Sequence, residues 1–132
     1  MTKQEGTGIR NLEFKNWIRN KLPDSYTGYR VYDIDYVIWR KEYSNGESKM
    51  TDIMILEEKN GMAIVTPDQK MMLEFLSRAV RTQAKIEGIK YHGTHLVRLP
   101  KSGKPEEGCE LDNKVVTEEQ LKKFLSFETI KN

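Results

Sequence analysis

Ile53-Met54-Ile55-Leu56 is an uninterrupted apolar run that ends abruptly in Glu57-Glu58-Lys59. A short run of this kind suits a β-strand covered on both faces. The two carboxylates and the amine at its end are expensive to bury unless something compensates them. The chain must therefore place this run inside a sheet and supply partners for its charged tip. Side-chain alternation puts Glu57 and Lys59 on one face of that strand and Glu58 on the other.

The rest of the sequence supplies layers for such a sheet. Phe14, Trp17, Ile18 and Leu22 fall at helical spacing over 9–22, and Pro23-Asp24 stops that helix. Tyr29 to Lys41 is rich in β-branched and aromatic residues and reads as a strand carrying Asp33 and Asp35. Ser44-Asn45-Gly46 and Asn60-Gly61 are turn signals, with Met62 to Val65 expected to pair back as a short strand. Thr66-Pro67-Asp68-Gln69 is a capping box with proline at the first helical position. It opens a helix ending near Glu87 before Gly88, with an expected buried stripe of Met72, Phe75, Leu76, Ala79 and Ile86. Tyr91 to Leu99 is a further strand, and a small hairpin turns at Asp112-Asn113. Thr117 with Gln120 is a second capping box, opening a last helix through Leu121, Phe124 and Leu125. The order predicts a mixed α/β (α+β) fold with one central sheet flanked by helices and a C-terminal hairpin and helix.

With 132 residues, 37% of them hydrophobic, the chain can build one modest core, so one domain over 1–132 is expected, with residues 1–8 loose. No apolar run approaches the roughly 18 residues that cross a bilayer, and no secretory apolar stretch follows Met1. The single cysteine, Cys109, excludes an internal disulfide framework and a Cys-rich zinc site, and in a polar loop with no nearby His it is not read as a nucleophile. A cytoplasmic protein is the expectation. Net charge is only +2, but it is unevenly spread: +3 over 1–41, −3 over 42–65, +5 over 66–104 and −3 over 105–132. Carboxylates grouped for a cation, with basic stretches for phosphates on either side, is a pattern that suits a nuclease.

If the two strands are neighbours, Asp35 and Glu57 converge, with Asp33 competing for the role of Asp35. Carboxylates that close repel unless a cation lies between them, and all-oxygen ligation favours Mg²⁺ or Mn²⁺. Lys59 then stands beside the cation, where an ammonium can orient water and offset charge growing on a phosphate.

At these residues the chain resembles the PD-(D/E)XK nuclease superfamily. A helix precedes the sheet, Asp35 stands on one strand in Asp35-Tyr36-Val37-Ile38-Trp39, and Glu57-x-Lys59 ends the next. Gly8 with Glu13 on the first helix, and Gln69 at the start of the following helix, are similar to the compact Holliday-junction resolvases of that superfamily. The order of Asp33-Ile34-Asp35, Glu57-Glu58-Lys59, Gln69 and Tyr91-His92-Gly93 is similar to its small phage-type nucleases. The likeness spans residues 8–99 and departs from the pattern where Ile34, not proline, precedes the Asp. It implies a restriction-endonuclease-like core and metal-dependent hydrolysis of DNA phosphodiesters, with RNA left open. Asp35, Glu57 and Glu13 would be metal ligands, Lys59 the electrostatic group and Gln69 a site-orienting residue. Arg78, Arg81 and Lys85 would be phosphate contacts, and a homodimer, in a host cytoplasm if the chain is phage-encoded, is implied as well. The competing expectation is a catalytically inactive nucleic-acid- or protein-binding module on the same fold. His92 and His95, three apart on a strand, are expected on opposite faces and so unable to share an ion.

Overall fold

The computed structural model describes residues 12–28 and 30–128. It divides into an N-terminal unit, residues 1–31, and a larger unit, residues 32–132. The N-terminal unit holds α1 (Leu12–Lys21), followed by a single 3-10 turn at Ser25–Thr27. Within α1 the Phe14 and Trp17 rings stack with centroids 5.8 Å apart, as residues one turn apart can. The proposed helix start at Ile9, together with Gly8, lies outside the described residues.

The larger unit is a five-stranded mixed sheet carrying two helices. Its elements are β1 (Tyr36–Ser44), β2 (Glu47–Asn60), α2 (Pro67–Glu87), β3 (Lys90–Leu99), β4 (Cys109–Leu111), β5 (Lys114–Val116) and α3 (Glu118–Leu125). The strands lie in the order β1-β2-β3-β4-β5, so the sheet follows the chain without rearrangement. Asn45 and Gly46, both at positive φ, make the tight turn joining β1 and β2 antiparallel. Asp112 and Asn113 do the same between β4 and β5. β2 and β3 run parallel, which demands a long crossover, and α2 supplies it. The mixed α+β class read from the sequence is the fold observed.

The apolar run sits where it was expected. Met54, Ile55, Leu56 and Glu57 are all buried at the middle of the sheet, with β1 on one side and β3 on the other. Both edges of β2 being taken, Met62 to Val65 has no strand to pair with, and it is irregular rather than the short strand expected. Its carbonyls are served instead by Arg98, whose guanidinium donates to Gly61 O and Ala63 O. On one face of the sheet Leu56, Val97, Leu99 and Cys109 pack with Leu121 of α3 as the principal core. The other face carries α2. Both capping boxes form as read, and Gly88 closes α2 in the left-handed conformation at φ 73°.

Three expectations are corrected. The strand read over Tyr29–Lys41 begins only at Tyr36, so Asp33 and Asp35 precede β1 instead of lying on it. Asp35 Oδ2 accepts the Glu58 N–H at 2.8 Å, a donor that a longer β1 would otherwise claim. On α2 the buried side is Leu73 and Ala84, with Leu76 and Val80 half-buried. Met72, Phe75, Ala79 and Ile86 are exposed, since the helix turns the side holding Leu73 and Ala84 to the sheet, where Gln69 also bonds Lys59 and Ser77 bonds Tyr91. Cys109 lies inside β4 and the core, not in a polar loop; its Sγ donates to Val116 O at 3.4 Å, and burial, reinforced by Glu118, pushes the thiol pKa up.

Because Leu121 is the side chain that seats α3 on the sheet, Leu121→Ala is expected to cost about 2–5 kcal/mol of stability by urea denaturation. Met62→Ala, at a residue that is 92% exposed, should stay within about 0.5 kcal/mol of wild type.

Candidate active site

The charged tip of β2 is the best-supported site in the molecule. Glu57 is 4% exposed and is the one buried charged residue among the described residues. Its carboxylate has a partner at each oxygen: the Tyr32 hydroxyl donates to Oε2 at 2.9 Å, and the Lys59 ammonium lies 3.8 Å from Oε1. The β1–β2 register pairs Tyr36 with Leu56, which sets Asp35, one residue before the ladder, beside Glu57. Glu58 points to the other face, where its Oε1 accepts from the Tyr36 hydroxyl at 3.2 Å. The alternation inferred from the sequence therefore separates the two glutamates as expected.

Electrostatics mark the same cluster. Burial pushes the Glu57 pKa above the usual carboxylate range, and the neighbouring Asp35 carboxylate pushes it further. The Tyr32 hydrogen bond and the Lys59 charge work against that rise without cancelling it. Tyr32 is also raised well above an ordinary tyrosine, first by burial and then by Glu57, Asp35 and Asp33. A low-dielectric position with converging carboxylates and one ammonium is where a further positive charge is welcome.

Lys59 is tied to the start of α2. Its Nζ donates to Gln69 Oε1 at 3.1 Å, and the same oxygen accepts the Thr66 N–H at 3.0 Å as part of the capping box. Gln69 thus caps a helix and orients Lys59 with one atom, so its two readings from the sequence are not alternatives. Arg98 stands opposite Lys59 in the parallel β2–β3 register and pins the loop between β2 and α2 through Gly61 and Ala63.

The structure thus brings together Asp35, Glu57, Lys59 and Gln69. Asp33 is exposed beside them, while Asp35 is half-buried and bonded to the β2 backbone. Glu13 lies in the first turn of α1, in the other unit. Arg78, Arg81 and Lys85 lie farther along α2, about 14 to 24 Å from Gln69 at ~1.5 Å rise per residue. The Arg81 guanidinium sits 5.6 Å from the centroid of the Tyr91 ring. Tyr32 and Arg98 were not singled out from the sequence. Tyr32 falls within the alternating run that reads as a strand, and only the three-dimensional pairing reveals its contact with Glu57.

Two carboxylates with hard oxygen donors fit a divalent cation such as Mg²⁺ or Mn²⁺, with water and substrate filling the remaining positions. Among the described residues, no three His, Cys, Asp or Glu side chains form a ready-made metal cage. The histidines are engaged elsewhere. A bulge in the β2–β3 register, with Gly93 at φ 92°, inserts an extra residue between His92 and His95. Both rings consequently meet α3 and the residues after it, on one face and not the opposite faces expected: His92 against Phe127 and His95 against Phe124. His92 Nε2 lies 2.8 Å from Asp52 Oδ1, and His95 Nδ1 lies 2.6 Å from Asp112 Oδ2. Burial raises Asp52, but its hydrogen bonds with His92 and Thr51 outweigh that and hold it below its ordinary range. These are structural contacts.

Compared with protein-family models, with curated proteins and with solved structures, the chain gives no match. No helix among the described residues is long and apolar enough to cross a membrane.

Since Glu57 is raised in the folded state, its ionisation opposes folding. The stability it contributes is fully present below the unfolded carboxylate range and is lost as pH rises through the higher folded value. Without divalent cations, Glu57→Gln is therefore expected to melt above wild type at pH 7–8. Thermal melts from pH 4 to 8 should show that gain shrinking toward the acid end.

Proposed function

We propose that the chain is a metal-dependent nuclease of PD-(D/E)XK type that hydrolyses DNA phosphodiester bonds. The observation that carries this reading is the meeting of buried Glu57, Asp35 and Lys59 at one strand tip, with Gln69 holding the lysine. Asp35 and Glu57 would hold Mg²⁺ or Mn²⁺. When bound, the cation supplies Lewis-acid polarisation of the phosphate and acidifies a coordinated water.

The chain's own residues do the rest. Lys59, fixed by Gln69 and Glu57, presents an ammonium to the charge that grows on the phosphate, an interaction strengthened by the low dielectric around Glu57. The β2–α2 loop that Arg98 pins keeps Gln69 in register with Lys59. Arg78, Arg81 and Lys85, farther along α2 from this centre, would hold backbone phosphates some nucleotides from the cut, giving affinity without base readout. The resemblance to the resolvases extends the proposal to a restriction-endonuclease-like core and a homodimer acting in the cytoplasm.

The test is incubation with labelled duplex, single-stranded and branched DNA in Mg²⁺, Mn²⁺ or EDTA. Cleavage is expected only with metal, and Lys59→Ala is expected to lower its rate by on the order of 10²–10³-fold. Replacing Arg78, Arg81 and Lys85 together by alanine should leave the metal requirement intact. In filter-binding titrations it should reduce the slope of log affinity against log salt by about 2–3. Cleavage unchanged in both Lys59→Ala and Glu57→Ala would defeat the assignment. Metal-independent DNA binding without cleavage would favour an inactive binding module.

A further inference from the structure

Residues 30–35 form no ladder with β2, yet they carry one of the two carboxylates on which the proposed site depends. Side chains do the fastening in place of a ladder. Asp35 Oδ2 accepts the Glu58 N–H at 2.8 Å, and the Tyr32 hydroxyl donates to Glu57 Oε2 at 2.9 Å. The two bonds, three residues apart on one segment, reach adjacent residues of β2. Tyr32 is half-buried, and the carboxylate it grips is almost fully so. With Lys59 near the other oxygen of Glu57, the carboxylate has its orientation set by the protein alone.

We propose that Tyr32 is a positioning residue: by clasping Glu57 it holds the irregular segment against β2, so that Asp35 and Glu57 are in place before a cation binds. This inference rests on reading those two carboxylates as cation ligands. Residues that orient metal ligands from behind typically change affinity by about 10–100-fold when removed. Tyr32→Phe removes the donor while keeping the ring, and isolates the hydrogen bond from the packing.

The experiment has two readouts on the full chain. Isothermal titration with Mn²⁺ compares wild type, Glu57→Gln and Tyr32→Phe. Hydrogen–deuterium exchange in EDTA follows residues 30–36, with α3 as the internal control for folding. Wild type should bind Mn²⁺, Glu57→Gln should lose the site, and Tyr32→Phe should bind roughly 10–100-fold more weakly. Exchange at 30–36 should quicken in Tyr32→Phe while α3 is unchanged. Weaker binding in Tyr32→Phe with exchange at 30–36 unchanged would mean that the hydroxyl does not hold the segment, and would overturn the proposal. Wild-type affinity and exchange in Tyr32→Phe would overturn it as well, with the cation site left standing. Failure of wild type to bind Mn²⁺, or binding unaltered in Glu57→Gln, would remove the underlying reading instead. Exchange alone would then decide the clasp: quickened, it stands; unchanged, it falls.

Discussion

A carboxylate taken almost completely out of water at the end of a central strand is the constraint around which this fold is arranged. Burying such a group is unfavourable unless its oxygens are served, and here they are served from two directions. Tyr32 arrives from the segment before β1, Lys59 from the same strand, and the Asp35 carboxylate adds repulsion that the others only partly offset. An ordinary core has no use for this arrangement, since a leucine at position 57 would extend the apolar run at lower cost. The negative charge that Tyr32 and Lys59 only partly offset is what ties the architecture to the proposed chemistry.

The parallel β2–β3 pair explains why the supporting residues meet where they do. A parallel pair needs a crossover, and α2 must begin close to the end of β2 and finish close to the start of β3. The N-terminal turn of α2 is thereby delivered to the charged tip, where the Gln69 side chain closes the capping box and takes up Lys59 together. The same geometry carries Arg78, Arg81 and Lys85 to the far end of the helix. One element thus spaces the proposed cutting centre from the proposed phosphate-holding row.

Much of this was legible in the sequence because it is encoded locally. The capping boxes at Thr66 and Thr117, the Asn45-Gly46 and Asp112-Asn113 turns and the apolar run of β2 are short-range signals, and each forms as read. The separation of Glu57 from Glu58 followed from strand alternation alone. What escaped depends on contacts between distant segments. The apolar pattern of α2 offers two stripes, and the less conspicuous one, with Leu73 and Ala84, is the one buried, on the side where Gln69 meets Lys59 and Ser77 meets Tyr91. The bulge at Gly93 overrides the period of two and brings His92 and His95 to one face. Tyr32 and Asp35 lie where the strand signal continues but the ladder stops, because side chains there replace backbone partners.

The central claim is that Asp35 and Glu57 share a hard divalent cation. Anomalous diffraction from crystals of the protein soaked in Mn²⁺ addresses it without reference to any substrate. A manganese peak within coordination distance of both carboxylates, with the Lys59 ammonium close by, is the expected result. A map with manganese bound elsewhere, or with none near Glu57 at a concentration that fills carboxylate sites, would contradict the account.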